Sequence, residues 1–209
     1  MNFFSPCRRI PVFALILCCL ALAMSCEKQV RRSDIVYPKT DLSAAPLIPK
    51  PVTMVPDSTA YGLDRFSAVY YPKTIPEFGK VGDFLALQLR QRTGLKVPVN
   101  PTPGDTVYQG IYLIQKTTLE GEAYQLSIRP DSLLLLAGTA EGAFRGVQTL
   151  RQLLPETANE TLADHPVWVL PGGSVEDAPR YAYRGAMLDV ARHFFPVAAV
   201  KRYLDQLAY

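Results

Sequence analysis

Apolar positions along the middle of the chain recur at two different periods. In VGDFLALQLRQRTG (81–94), Val81, Phe84, Leu85 and Leu89 fall at helical spacing, and Gly94 stands where a C-terminal cap belongs, so the pattern predicts a helix. GIYLIQ (110–115) reads as a strand, and AYQLSIR (123–129) alternates Tyr124, Leu126 and Ile128 with polar neighbours. Pro130-Asp131 supplies a turn, and LLLLAG (133–138) returns as an apolar strand suited to a central place in a sheet. A second helix opens at Thr139 as N-cap, carries Glu141 in its first turn, sets Phe144, Val147 and Leu154 on one face, and ends at Pro155. VWVL (167–170) is a last strand. Hairpin-linked strands and one apolar stripe per helix predict an α+β layer over residues 47–176, a small antiparallel sheet with two helices on one face. Arg145 and Arg151 read as solvated charges on that second helix.

Before this layer the pattern changes. Residues 27–56 are polar and punctuated by Pro38, Pro46, Pro49, Pro51 and Pro56 without a sustained period, so 27–46 reads as a tether leading to the first strand. Residues 1–26 read as an export leader, in which Arg8 and Arg9 precede an apolar stretch from Val12 to Met24. That stretch is shorter than the roughly 20 apolar residues that cross a bilayer. Cys7, Cys18, Cys19 and Cys26 all lie in the leader, which leaves the body no pair for a disulfide. LAMSC (22–26) resembles a bacterial lipobox, and the resemblance implies a lipid on Cys26 that anchors an exported protein to the bacterial cell envelope, in the periplasm or at the outer membrane. Cleavage after ALA (21–23) would instead release a soluble secreted protein.

Charge and motif content exclude several classes of function. Removing the leader takes away Arg8 and Arg9 and no acidic residue, leaving 20 basic against 19 acidic side chains, and such a balance gives no footprint for nucleic acid. The body offers only His165 and His193, with no cysteine beyond Cys26, so no metal constellation is expected. PGGS (171–174) lacks the spacing of a phosphate loop or a dinucleotide fingerprint, and no cofactor is expected.

The segment YRGAMLDVARHFFPVAAVKRYLDQLAY (183–209) carries the candidate chemistry. It reads as a strand over 185–190, a short turn, and a helix opened by Pro196 with Val197, Val200, Leu204 and Leu207 as its stripe. This is one unit of a parallel α/β fold, and a lone unit leaves its stripe without a neighbour. The pattern Arg184-Gly185, Leu188-Asp189, Arg192-His193-Phe194 and Pro196 resembles the start of the catalytic barrel in the family 20 glycoside hydrolases, the β-N-acetylhexosaminidases. LIPKPV at Leu47, EAYQLSI at Glu122 and AEGAFRGVQTLRQLLP at Ala140 resemble that family's accessory domain.

The resemblance implies the first βα unit of a truncated (β/α)8 barrel over 177–209. It also implies hydrolysis of terminal β-linked N-acetylhexosamines from glycans, in which the substrate's own acetamido oxygen attacks the anomeric carbon. By the same resemblance Arg184 contacts sugar hydroxyls, while Asp189, Arg192 and His193 read as a structural cluster tying the first strand to its helix, Asp189 and His193 being further substrate-binding candidates. The family's catalytic Asp-Glu pair has no counterpart after Tyr181, where the acidic residues are Asp189 and Asp205, so no catalytic residue is expected in this chain. The rival reading is a non-catalytic surface lipoprotein that uses the small domain as a binding module, or the accessory part of another glycosidase.

Overall fold

The computed structural model describes residues 34–103 and 110–209, and the fold is that of the unit Val36–Tyr209. Among these residues seven strands build one sheet: β1 (Thr53–Leu63), β2 (Val69–Tyr71), β3 (Val99–Pro101), β4 (Gly110–Gln115), β5 (Tyr124–Ile128), β6 (Ser132–Ala137) and β7 (Trp168–Asp177). Their spatial order is β1-β7-β5-β6-β4-β2-β3, which puts the leucine run of β6 at the centre, as its composition requires. Helices α1 (Pro76–Thr93), α2 (Ala140–Leu153) and α3 (Val197–Ala208) and a one-turn 3-10 helix (Leu42–Ala44) complete the described elements.

The α+β class is as expected, but only half of the sheet is antiparallel. β1 with β7, β5 with β6 and β5 with β7 run antiparallel. β2 with β3, β2 with β4 and β4 with β6 run parallel. Connectivity accounts for part of the correction: α1 carries the chain from β2 back to its parallel neighbour β3, as a helical crossover does, while α2 carries it from β6 past β5 to β7.

Both helices lie on one face. Leu113 and Leu135 are paired neighbours in the sheet. A Cβ placed on Gly82 of α1 would stand 3.5 Å from Leu113, and one on Gly146 of α2 would collide with Leu135. The helices meet each other through Phe84 and Phe144, whose rings are 5.2 Å apart. Their ends follow the expected chemistry. Gly94 caps α1 at φ 74 with its N–H on the Arg90 carbonyl, and the Thr139 hydroxyl accepts from Gly142 N at the start of α2.

Two expectations fail at the edges of the layer. Residues 36–46, the described unit's share of the expected tether, are packed against the sheet. Leu42 is fully buried, and Thr40 Oγ1 donates to the Thr59 carbonyl while accepting from Gly172 N. Leucine at the head of a one-turn 3-10 helix, capped by Asp41, gives this proline-rich stretch an apolar foothold that periodicity does not reveal. At the other end, residues 185–190 form no strand, because a strand is defined by its ladder and no described segment lies alongside to complete one. α3 does form, with Pro196 as its N-cap, one position earlier than its expected role. Its Val197, Leu204 and Leu207 stay largely exposed, as the lone unit predicts.

Candidate functional site

The chemistry-bearing segment meets the accessory layer along the outer face of α2. The meeting begins at a turn. Ala123 N bonds the Glu120 carbonyl, and the Thr139 hydroxyl that caps α2 also donates to the Gly121 carbonyl, which fastens the turn to the helix start. This placement aims Glu122 at two guanidinium groups. Its carboxylate accepts from Arg145 Nε at 2.6 Å, and both its oxygens lie 2.6 Å from Arg184 Nη2. Arg184 Nη1 donates to its own Tyr181 carbonyl at 2.6 Å. The Arg184 and Arg145 hydrogen bonds hold the Glu122 carboxyl below the ordinary glutamate range.

Two turns along α2 a second contact holds α3. Arg151, its side chain only 13% exposed, pairs with Asp205 at 3.4 Å and lies over the Tyr209 ring at 4.9 Å. Its other terminal nitrogen donates to Gln148 Oε1 at 2.6 Å. Gln152 exchanges two hydrogen bonds with the Ile48 backbone, each 2.9 Å, and donates to the Tyr209 carbonyl at 3.0 Å. Arg145 and Arg151 are therefore not solvated charges. The helix they sit on is covered on its second side as well, so the residues off the apolar stripe become interface residues. Between the two contacts lies a cavity of about 650 Å³, walled by Ile48, Tyr124, Gln148, Asp177, Arg184 and Tyr209 among others.

The candidate substrate-binding residues are distributed unevenly around this seam. Arg184, expected to contact sugar, has its guanidinium committed to Glu122 and Tyr181. Asp189 folds back on its own segment, accepting from Ala191 N at 2.9 Å and Arg192 N at 3.2 Å, and its second oxygen lies 3.3 Å from Arg192 Nε. The Arg192 side chain is 86% exposed. His193 is exposed and makes no hydrogen bond or ion pair among the described residues. The structure thus brings Asp189 and Arg192 together and leaves Arg184 apart. Cys26 lies outside the described residues. Glu122 was not singled out as a functional residue; the signal that could have found it is an acidic residue at a turn immediately before an alternating strand.

His165 lies in a separate buried cluster. Its Nδ1 lies 2.5 Å from Asp164 Oδ1 and its Nε2 lies 3.6 Å from Asp64 Oδ2. Buried Asp64 also accepts from Phe66 N at 2.9 Å, so this cluster pins the loop before β7 to the β1–β2 turn. Among the described residues no group of three His, Cys, Asp or Glu side chains is suited to a metal ion, and no helix is long and apolar enough to cross a membrane.

Comparison with known proteins gives a consistent picture. Residues 44–178 match the family model described as "Glycosyl hydrolase family 20, domain 2", and residues 181–209 match "Glycosyl hydrolase family 20, catalytic domain". The chain is 31% identical to a β-hexosaminidase of Porphyromonas gingivalis over 94% of its own length and 25% of the relative's. It is 33% identical to a β-N-acetylhexosaminidase of Cellulomonas fimi over 78% of its length and 32% of the relative's. It superposes on the GH20 β-N-acetylhexosaminidase from Streptomyces coelicolor A3(2) with a TM-score of 0.68 and 38% identity, covering 82% of this chain and 33% of that one. An exo β-N-acetylglucosaminidase from Vibrio harveyi, solved with N-acetylglucosamine, gives a TM-score of 0.67 and 27% identity over 83% of this chain and 25% of that one. The chain spans between a quarter and a third of the length of these four proteins.

Proposed function

The chain belongs to glycosyl hydrolase family 20, and on that premise we propose that the protein it forms part of is a β-N-acetylhexosaminidase releasing terminal β-linked N-acetylhexosamines from glycans. The observation that carries the reading is the direct succession of the two family matches, accessory domain over 44–178 and catalytic domain from 181, with the RG, LD and RHF residues in the second. The reaction is substrate-assisted: the acetamido oxygen attacks the anomeric carbon, while a carboxylic acid protonates the leaving oxygen. The acid and the carboxylate that orients the acetamido group come from an Asp-Glu pair on a later strand of a (β/α)8 barrel, so residues 27–209 alone are inactive.

Within the segment at hand the roles divide by position. Barrel sites form beyond the C-terminal ends of strands, where Asp189, Arg192 and His193 lie. By the family resemblance Arg184 binds hydroxyls of the terminal sugar with its planar fork of donors, while Asp189 pairs with Arg192 and, with His193, is a further substrate-binding candidate. The leader and the lipobox-like LAMSC support an exported protein held by a lipid on Cys26 at the bacterial cell envelope, where its glycan substrates are met. The test is hydrolysis of a chromogenic β-N-acetylglucosaminide by residues 27–209 beside a longer form read through the natural locus. Hydrolysis by the longer form alone is expected. An inactive longer form would sink the enzyme reading in favour of a binding module, and activity in the short form would overturn the placement of the Asp-Glu pair.

A further inference from the structure

We infer that residues 36–46 form a clasp that closes a gap in the β1–β7 pair and so holds β1 in register. The pair runs antiparallel from Thr53↔Glu176 to Pro56↔Gly173, breaks, and resumes at Ala60↔Pro171, so Asp57, Ser58 and Thr59 stand opposite Gly172 alone. These three residues leave the ladder as a turn of their own. The Asp57 carboxylate accepts from Thr59 N at 2.9 Å and from Thr59 Oγ1 at 2.6 Å, and Ser58 takes φ 60. Such an irregularity takes the Thr59 carbonyl and the Gly172 N–H out of the regular ladder, and both need another partner. The Thr40 hydroxyl supplies it, donating to the Thr59 carbonyl and accepting from Gly172 N at 3.1 Å.

The rest of the segment seats that hydroxyl. Leu42 is fully buried beside Gly173, where a Cβ would stand 3.0 Å from its side chain. On the other side of Thr40 the Tyr37 ring lies so close to Gly62 of β1 that a Cβ there would overlap it. Gly172 completes the seat, because a Cβ at that position would stand 2.5 Å from the Thr59 carbonyl oxygen. Pro38 and Pro46 fix φ near −65°, which lowers the freedom the segment gives up on docking. β1 lies at the sheet edge and is held in the ladder by β7 alone. A one-residue slip would turn Tyr61 and Leu63 out of the core to the opposite face. Tyr37, Thr40 and Leu42 precede residue 44, where the accessory-domain match begins, so the clasp lies ahead of the matched layer and stands independently of the proposed activity.

The 209-residue chain carries its own reporter, since Lys39 is exposed within the clasp and open to trypsin. Thr40→Val, similar in shape but without the hydroxyl, should speed amide exchange at Gly172 about tenfold, the scale of one or two lost hydrogen bonds, and exchange at residues 53–55 should quicken with it. Thr40→Ser keeps the hydroxyl and should leave both within about twofold. Gly62→Ala leaves the cleavage site untouched but pushes on the Tyr37 ring, and it should speed cleavage after Lys39 about tenfold. Cleavage after Arg192, whose side chain is 86% exposed, should stay constant in every variant. Unchanged Gly172 exchange in Thr40→Val together with unchanged cleavage after Lys39 in Gly62→Ala would overturn the clasp. Quickened exchange at Gly172 with residues 53–55 unmoved would overturn its hold on the register. An equal rise across β6 would mean that the whole layer had loosened, and would overturn a local device.

Discussion

Replacing Gly142 by alanine tests whether α2 is held as tightly to the Glu122 turn as the geometry indicates. Gly142 is the third residue of α2, and its N–H bonds the capping Thr139 hydroxyl at 3.1 Å. In an unobstructed helix the change would stabilise by about 1 kcal/mol, because alanine loses less backbone freedom than glycine. Here the new Cβ would stand 2.6 Å from the Ala123 carbonyl oxygen and 3.3 Å from the Ala137 Cβ. The first neighbour is backbone and cannot swing aside, since the turn is tied by Ala123 N to Glu120 and by Thr139 to Gly121. Overpacking of this kind costs about 1–3 kcal/mol. Setting the helix gain against it leaves a net destabilisation of up to about 2 kcal/mol, and at roughly 2–4 °C per kcal/mol for a chain of this size Tm should fall by up to about 8 °C. Thermal unfolding followed by circular dichroism on the wild type and Gly142→Ala reads this directly. A rise in Tm would show that propensity outweighs the contact and that the turn is not rigidly docked.

Three further outcomes follow from the same structure. Gly94→Ala meets no atom within 4 Å but must hold φ at +74°, so it should lower stability by about 1 kcal/mol through backbone strain alone, seen as a lower urea midpoint at unchanged slope. Leu135→Ala empties the centre of the sheet and should cost about 2–5 kcal/mol, and a loss below about 1 kcal/mol would deny that β6 is the core strand. Burial pushes the Tyr124 phenol up to about 12, so its neutral form contributes stability that is fully present below the unfolded value near 10 and lost as pH rises through 12. Tyr124→Phe should therefore cost about 1 kcal/mol at pH 8 through the lost Thr149 bond and show a smaller decline in stability between pH 10 and 12; parallel declines in both proteins would refute the assignment.

Where the sequence was informative, a single stretch carried its own instruction. LLLLAG needs burial and takes the central strand; Thr139 and Gly94 have side-chain and backbone chemistry that ends a helix wherever the chain goes. What was missed depends on partners distant in the chain. β2 and β3 span three residues each, too few to show a period. β1 contains Pro56 and a register shift opposite β7 between Pro56 and Ala60, which breaks the alternation that would have marked it. Strand direction depends on how the strands are connected and paired, as in the α1 crossover from β2 to β3, and is absent from any one strand's pattern. The RG, LD and RHF residues of the candidate site were legible by family resemblance, yet the partner of Arg184 is 62 residues away, and local spacing is silent about it.

Helix α2 makes contacts on both of its long sides. One turns Ala143, Val147 and Leu150 to the sheet, and the other turns Arg145, Arg151 and Gln152 to the segment that follows. Anyone wishing to excise the accessory layer as a stand-alone module would have to redesign this second side, since removing residues 181–209 strips the cover from Arg151, the Tyr209 ring from above it, and one of the two guanidinium groups from Glu122. The layer is thus not a detachable cassette: its surface chemistry is already written for its neighbour, and a cut at the domain boundary passes through shared charge as well as through a linker.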